Sequence, residues 1–240
     1  MRTVVVTGAA TGIGLATARV FHSGGDRVVL TGRRKDVLDA AVAGLGDRAT
    51  ALPFDATDPA QVESALDQLP AQVDVLVNNA GGNTDFDREP PSTLAETAEA
   101  WRANLDANLL SAVLVTTALR ERLAPGGAVV NIGSIAADQG SGAYGAAKAA
   151  LASWTVDLAT QLGPQDVTVN TVAPGFVADT EFFRGMLPDE YRQSFVDAAL
   201  TGRAGSPDDV AGTIGFLAGP AARHVTGQSL AVNGGTRTTR

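Results

Sequence analysis

Residues 3–14 read Thr3-Val4-Val5-Val6-Thr7-Gly8-Ala9-Ala10-Thr11-Gly12-Ile13-Gly14, a β-branched run that leads directly into a Gly-rich turn. An apolar segment with helical spacing follows from Leu15 to His22, so the turn joins a strand to a helix. Glycine permits a sharp turn and lets backbone N–H groups approach phosphate oxygens, which a helix N-terminus then stabilises. We therefore expect this loop to bind a dinucleotide pyrophosphate. The residues expected to contact it are Gly8, Thr11, Gly12, Ile13 and Gly14.

The glycine spacing leaves a second interpretation open. It is G-x-x-x-G-x-G, which departs from the G-x-G-x-x-G fingerprint of dinucleotide-binding loops, and a Gly-rich turn can also be a tight strand-to-helix connection that binds nothing. The strand–turn–helix context favours the cofactor loop. Because no Gly-Lys-Ser/Thr ending is present, a nucleoside-triphosphate loop is disfavoured.

Short β-branched runs recur along the chain and alternate with longer Ala- and Leu-rich segments that have helical spacing. The predicted strands are 3–7, 27–31, 50–54, 73–78, 128–132, 168–172 and 229–232, and the clearest predicted helices are 15–22, 37–45, 61–69, 98–123 and 144–162. Such alternation predicts βαβ units, and near-continuous apolar strands are typical of a parallel sheet covered on both faces. We predict one α/β domain over residues 1–240: a Rossmann-type, doubly wound parallel sheet of about seven strands with helices on both faces.

The composition excludes several kinds of site. The chain has no Cys and only two His, which removes disulfides, thiolate nucleophiles and His-rich or zinc–thiolate metal sites, so we predict no metal. A net charge of −8 argues against binding to nucleic acid or to anionic membranes. The N-terminal apolar run is too short for a signal peptide, and no apolar stretch reaches the roughly 20 residues of a membrane span. We expect a cytoplasmic protein.

The second predicted strand ends in Thr31-Gly32-Arg33-Arg34. An acid at this point would accept a hydrogen bond from the adenosine 2′-hydroxyl of NAD, whereas Arg accommodates a 2′-phosphate. Gly32 stands where the acid is expected, and two guanidinium groups follow. The alternative is a solvated pair at a helix start, where positive charge is mildly unfavourable. We expect NADP(H) to be the preferred cofactor, with NAD(H) possible.

Polar residues also follow the third and fourth predicted strands, at the carboxyl edge where open α/β sheets bind ligands. Asp55 could accept a hydrogen bond from the adenine amino group, and the turn Asn78-Asn79-Ala80-Gly81 could line the ribose. Each feature alone is more often an ordinary turn sequence that binds no ligand. The cofactor-binding residues expected at this edge are Asp55, Ala56, Asn78, Ala80 and Gly81.

Tyr144 and Lys148 lie four residues apart in a predicted helix and therefore project from the same face. A free tyrosine has a pKa of about 10, which is too high for proton exchange near neutrality. A nearby ammonium group favours the phenolate and lowers that pKa, and Lys can also donate to a ribose hydroxyl. The pair predicts a tyrosine acid/base tuned by lysine, although an incidental surface pair has the same spacing.

Two further side chains join this pair as candidates. Ser134 follows the fifth predicted strand at the same carboxyl edge, where its hydroxyl could hold a carbonyl oxygen. Asn108 interrupts an apolar helix, and a buried amide there would need a hydrogen-bond partner. An Asn in a helix is more often exposed than functional, so its assignment depends on the others.

Together these motifs resemble the short-chain dehydrogenase/reductase family, in its single-domain branch, and look most like beta-ketoacyl-acyl-carrier-protein-reductase-like members. The resemblance spans the chain through six motifs in order: 7–14, 78–81, Ser134, Tyr144-x-x-x-Lys148, Pro174-Gly175 and 232–235. It implies hydride transfer between nicotinamide C4 and a carbonyl or secondary-alcohol carbon. It also implies the catalytic roles: Tyr144 exchanges the proton, Lys148 lowers its pKa and binds the nicotinamide ribose, Ser134 orients the carbonyl, and Asn108 holds a water in the proton relay.

The resemblance extends the cofactor site beyond the sixth strand and implies a lid. Backbone at Pro174, Gly175 and Val177 is expected against the nicotinamide amide, with Thr180 near the pyrophosphate. Residues 176–204 correspond to a mobile substrate lid, and six of their side chains are expected to roof the pocket: Phe182, Phe183, Met186, Leu187, Tyr191 and Phe195. The Ser134 to Tyr144 interval, ten residues, is short for the family and predicts a short substrate-facing loop.

The assembly and the candidate functions complete the expectations. The helix 144–162 is apolar on nearly all faces, so a second subunit is expected against it, as in the family's homotetramer or in a homodimer. The leading function is an NADPH-dependent carbonyl reductase acting on a small molecule. The alternatives are an NAD-dependent secondary-alcohol or sugar dehydrogenase, a non-catalytic NAD(P)-binding regulator, and a sugar-nucleotide epimerase or dehydratase, which would ordinarily need a longer chain.

Overall fold

A seven-stranded, all-parallel sheet forms the centre of the computed structural model, which describes residues 1–238. Its order is β3-β2-β1-β4-β5-β6-β7. The strands are β1 Thr3–Thr7, β2 Arg27–Gly32, β3 Ala49–Pro53, β4 Val73–Asn78, β5 Leu123–Ile132, β6 Thr168–Pro174 and β7 Ser229–Val232. The predicted fold class is confirmed, and each predicted strand is present.

Helices cover both faces of the sheet. They are α1 Gly12–Ser23, α2 Lys35–Leu45, α3 Pro59–Ala65, α4 Leu94–Leu105, α5 Ser111–Leu119, α6 Gly142–Leu162, α7 Asp189–Ala198 and α8 Pro207–Leu217. Because alternate strand side chains point to opposite faces, Val5 packs with one set of helices, α3, α5 and α6, while Val4 and Val6 pack with α1, α2 and α8. This double covering explains the near-continuous apolar strands.

The strand order reverses at β1, which pairs with β2 on one side and with β4 on the other. The chain leaves β1 and β4 at the same carboxyl edge and turns toward opposite sides, so a crevice opens between the two loops. Most of the residues that the motifs singled out lie at this crevice.

The predicted helix 98–123 is wrong in two respects. The chain forms α4 and α5 joined by a π-helical turn, Asp106–Leu110, and Leu123 already belongs to β5. A π-helical turn inserts an extra residue and is frequent at functional sites; here it contains Asn108. The early part of β5 escaped prediction because Pro125, Gly126 and Gly127 indicate a turn, and the pairing register with β4 shifts there.

Capping residues set the ends of two helices beside the site. Thr93 and Glu96 form a capping box at the start of α4, and Ser206 and Asp209 form another at α8. Each box satisfies backbone N–H groups that the start of a helix would otherwise leave without a partner. Among residues 1–238, none of the helices combines the length and apolar character that a membrane crossing requires.

Candidate active site

The glycine loop is held in place by the turn after β4. Asn79 Nδ2 donates to the carbonyl oxygens of Thr7 and Gly8, at 3.0 and 2.8 Å, while Thr7 Oγ1 accepts from the backbone N–H groups of Asn79 and Ala80. Gly8 has a φ of +62°, and a Cβ there would lie 2.8 Å from Ala80 Cα, so only glycine fits. The sequence placed Thr7 in the glycine-loop motif and Asn79 in the turn expected to line the ribose, but it did not predict that the two hold these loops together.

A cavity of about 1200 Å³ runs from this loop to the N-terminal part of α6. Of the predicted site residues, the following line it: Gly8, Thr11, Gly12, Ile13, Arg33, Arg34, Asp55, Ala56, Ala80, Gly81, Ser134, Tyr144, Lys148, Pro174, Gly175, Val177 and Thr180. Its volume exceeds the usual range for ligand pockets, about 300–1,000 Å³, and suits a dinucleotide together with a substrate. The bare glycine cradle at Gly8 also fits a phosphate-bearing cofactor.

Three predicted site residues lie behind the cavity wall. Gly14 packs α1 against the loop, since a Cβ there would collide with the Gly8 carbonyl oxygen and with Asn79 Nδ2. Asn78 is buried, and its Nδ2 donates at 2.8 Å to Thr116 Oγ1 and to Asn131 Oδ1. Its Oδ1 accepts no hydrogen bond in the described chain. Gly14 and Asn78 therefore stabilise the elements that form the cavity wall and do not line the cavity themselves.

Asn108 is the third, and it fastens the loop after β4 to the π-helical turn. Its Oδ1 accepts from Gly82 N at 3.0 Å, and its Nδ2 donates to Gly82 O at 2.9 Å and to Asn104 O at 3.0 Å. A Cβ at Gly81 would lie 2.6 Å from Asn108 Oδ1, which explains the glycine. The amide therefore has the partners that its burial requires.

The end of the cavity beside β2 and β3 carries Arg33, Arg34 and Asp55. Arg34 Nη2 donates to Glu181 Oε2 at 2.7 Å, and Thr11 Oγ1 donates to the same oxygen at 3.2 Å. Asp55 Oδ1 accepts from Thr57 N and Thr57 Oγ1, which folds its carboxylate into a local turn. Glu181 was missed because nothing in the sequence around it indicates that its carboxylate contacts Arg34 and Thr11.

Tyr144 and Lys148 lie on the first turns of α6 and are both buried. Lys148 Nζ donates to the carbonyl oxygen of Ile132 at 2.7 Å and lies 5.8 Å from the Tyr144 ring centre. Burial lowers the pKa of Lys148 to about 8 and raises the pKa of Tyr144 to about 12, with Ser134 counteracting the rise. The expected lowering of the Tyr144 pKa by Lys148 is absent from this geometry, because the ammonium is directed at the end of β5.

Ser134 and the short loop after it complete the inner end of the cavity. Ser134 Oγ accepts from Ala136 N at 3.1 Å and caps a 3₁₀ turn, Ile135–Asp138, that leads directly to α6. This compact turn accounts for the short interval to Tyr144. It places the Ser134 hydroxyl and the Tyr144 phenol beside the same part of the cavity.

An aromatic cluster roofs the cavity beside Tyr144, whose ring centre lies 5.6 Å from that of Phe182. Phe182 and Phe183 come from the lid segment, and Phe86, from the loop after β4, contacts both. Phe176 and Phe195 extend the cluster. Phe86 was missed by sequence reasoning, and three expected roof residues, Met186, Leu187 and Tyr191, do not line the cavity.

Segment 176–204, the expected lid, is also joined to the loop after β4 by an ion pair. Arg184 Nε and Asp87 Oδ1 form an ion pair at 2.6 Å, and Arg184 Nη1 donates to Asn83 O at 3.2 Å. Within the described chain, no group of three His, Asp or Glu side chains is arranged to hold a metal ion.

Known proteins are similar in sequence to this chain along nearly its whole length. The enoyl-(acyl carrier protein) reductase family profile matches residues 8–237. The 3-oxoacyl-(acyl-carrier-protein) reductase FabG of Escherichia coli (strain K12) is 34% identical, covering 96% of this chain and 95% of FabG. The cis-4-hydroxycyclohexanecarboxylate dehydrogenase of Sinomonas cyclohexanicum is 39% identical, covering 98% and 96%.

A solved structure is similar to this chain in both fold and sequence. The blue fluorescent protein from a metagenomic library, crystallised in complex with NADPH, superposes with a TM-score of 0.84 at 35% identity, covering 99% of this chain and 98% of that one. Sequence profile, relatives and fold agree with the motifs on the cavity wall. The chain belongs to the short-chain dehydrogenase/reductase family and is an NAD(P)-dependent oxidoreductase acting on CH–OH or C=O groups.

Proposed function

We propose that the protein is an NADPH-dependent reductase that converts a small carbonyl compound to its secondary alcohol, with Tyr144 as the proton donor. The observation that carries this proposal is the buried Tyr144 phenol, which faces the same cavity as Ser134 while its raised pKa, about 12, keeps it protonated at neutral pH. A protonated phenol can donate to a carbonyl oxygen that gains negative charge.

The cofactor is held, in this proposal, along the cavity from the adenosine end to α6. The glycine loop and the N-terminus of α1 bind the pyrophosphate through backbone N–H groups. Arg33 and Arg34 take the 2′-phosphate, and the backbone of Pro174, Gly175 and Val177 lies along the nicotinamide end. When bound, NADPH supplies a hydride from nicotinamide C4 to the carbonyl carbon.

The chain's own residues then handle the oxygen and the proton. The Ser134 hydroxyl donates a hydrogen bond to the carbonyl oxygen and orients it, and Tyr144 Oη transfers its proton to that oxygen as the alcohol forms. Lys148 stands on the same helix face, within reach of a ribose hydroxyl if it leaves the Ile132 carbonyl. Water must reprotonate Tyr144 after each turnover. The Asn108 amide is bonded to Gly82 and Asn104, so its expected role in holding a relay water stays a prediction.

A second candidate is an NAD-dependent dehydrogenase, and one contact favours it: Glu181 already neutralises Arg34. Initial rates with NADPH and with NADH, against a panel of ketones, acyl thioesters and sugars, separate the two. We expect a higher kcat/KM with NADPH; equal values, or a preference for NADH, would favour the second candidate.

We also propose a homotetramer in which α4 and α6 meet their counterparts. These helices leave Trp101 45% and Val156 55% exposed, and Leu110 of the π-helical turn is 39% exposed. Exposed large apolar side chains on neighbouring helices are typical of subunit contacts. Light scattering at micromolar concentration tests this, and Val156→Asp should shift the mass downward; a stable wild-type monomer would contradict it.

A further inference from the structure

The Glu181 carboxylate accepts hydrogen bonds from the side chains of two helix N-cap residues. It follows Thr180 in the lid segment, and its Oε2 accepts hydrogen bonds from Arg34 Nη2 at 2.7 Å and from Thr11 Oγ1 at 3.2 Å. Thr11 is the N-cap of α1, and Arg34 is the N-cap of α2. A hydroxyl and a guanidinium both donate to this carboxylate, so the point where they meet is a position for an anion.

The carboxylate at this position is ionised and readily exchanged. Hydrogen bonding to Arg34 lowers the pKa of Glu181 below its usual value, with a further contribution from Thr11. Both side chains are more than half exposed, and solvent screening makes such a pair weak. A ligand with a stronger negative charge can therefore take Arg34 from Glu181.

We propose that Glu181 sets the choice between phosphorylated and unphosphorylated nicotinamide cofactors, because its carboxylate holds the anion position that an adenosine 2′-phosphate must take. This inference rests on the proposed 2′-phosphate site at Arg34. A cofactor without the 2′-phosphate leaves the Arg34 contact intact, whereas one with it must displace a like charge. Glu181 therefore lowers the affinity for NADPH and leaves that for NADH nearly unchanged.

Displacement of Glu181 from Arg34 by a 2′-phosphate also breaks one of the contacts that attach the lid segment to the rest of the chain. At this end the lid touches the glycine loop through Thr180, which would lie 3.5 Å from a Cβ at Gly12, and through Glu181. At its other end the ion pair of Arg184 with Asp87 remains. Displacement of Glu181 loosens the lid over the cofactor cleft while its aromatic roof over Tyr144 stays attached.

The test uses nucleotides that lack the nicotinamide, so that catalysis plays no part. Dissociation constants for adenosine 2′,5′-bisphosphate and for 5′-AMP are measured by calorimetry on the wild type, Glu181→Gln and Glu190→Gln. Glu190 is an exposed acid of the same lid segment, so its variant removes the same charge away from Arg34. Since exposed pairs are weak, we expect Glu181→Gln to tighten the bisphosphate about fivefold and to leave 5′-AMP unchanged.

Two Arg34 variants separate the inference from the function on which it rests. Arg34→Ala should weaken the bisphosphate more than 5′-AMP, and adding Glu181→Gln to it should give no gain. If Arg34→Ala behaves this way but Glu181→Gln binds the bisphosphate like the wild type, the role of Glu181 is overturned and the 2′-phosphate site stands. If Arg34→Ala weakens both nucleotides equally, the 2′-phosphate site and the role of Glu181 are both overturned.

Discussion

Lys148 Nζ donates to the carbonyl oxygen of Ile132, the last residue of β5, and so ties the first turns of α6 to the central sheet. The same lysine lies 5.8 Å from the ring centre of Tyr144, one helical turn before it. Both side chains are buried, and burial shifts both toward their neutral forms. The hydrogen bond from Lys148 to Ile132 holds the lysine in place. The two shifted pKa values make the stability of the fold sensitive to pH.

Stability should rise with pH through the titration of Lys148. Its pKa in the folded chain is about 8 against a usual 10.5, so the unfolded chain binds more protons between these values. The free energy of unfolding then increases with pH in that window, by at most about 1.4 kcal/mol per pH unit. Above pH 10 the raised pKa of Tyr144 acts the other way, because the folded chain keeps a proton that the unfolded chain releases.

Lys148→Met provides the control, since every other titrating group is shared. Urea unfolding of both proteins between pH 7 and 10 should show the wild type gaining stability relative to the variant from about pH 8 upward. A difference that stays constant over this range would mean that Lys148 does not titrate there.

Removing Arg33 and Arg34 should change the cofactor preference. Replacing both with Ala deletes two guanidinium groups that can bind a 2′-phosphate, so we expect KM for NADPH to rise at least tenfold while KM for NADH changes less than threefold. Steady-state rates with both cofactors measure this. Equal losses with both would show that the arginines do not distinguish the phosphate.

Asn108→Ala should destabilise the loop after β4. The variant leaves the backbone groups of Gly82 without their amide partner, which costs about 1–3 kcal/mol where they stay buried. Urea unfolding measures the loss, and Asn104→Ala is a useful comparison because Asn104 holds the same loop through Thr84 and Asp85. An Asn108→Ala protein as stable as the wild type would contradict the anchoring role.

The aromatic roof should contribute to substrate binding. Phe182→Ala removes the ring beside Tyr144 and is expected to raise KM for an apolar ketone about tenfold or more, because an aromatic side chain buries substantial apolar area. Phe216→Ala, an exposed ring on α8 far along the chain from the lid, is the control. If both variants have the wild-type KM, the roof does not contact substrate.

The periodicity of the sequence predicted the sheet well because parallel strands, buried on both faces, consist of uninterrupted apolar runs. The periodicity failed where the local sequence favours a different structure from the one that tertiary contacts impose. Pro125 and the two glycines after it concealed the start of β5, and the single apolar run 98–123 concealed a π-helical turn. Neither follows from residue spacing, since both depend on what the neighbouring elements contact.

The same limit separates the site residues that were predicted from those that were not. Ser134, Tyr144 and Lys148 carry recognisable spacing and lie together on the cavity wall. Asn79, Phe86 and Glu181 act through partners distant in sequence, and only the folded chain brings these together. The cytoplasmic location and the tetramer stay predictions.

The central claim is that the Tyr144 phenol donates the proton. Tyr144→Phe keeps the ring and its contact with Phe182 but removes the hydroxyl. Single-turnover reduction of a ketone with NADPH, with cofactor affinity measured by calorimetry, should show the rate falling by about 10² to 10⁴ while NADPH binds as tightly as in the wild type. A variant that reduces the ketone at near wild-type rate would contradict the claim.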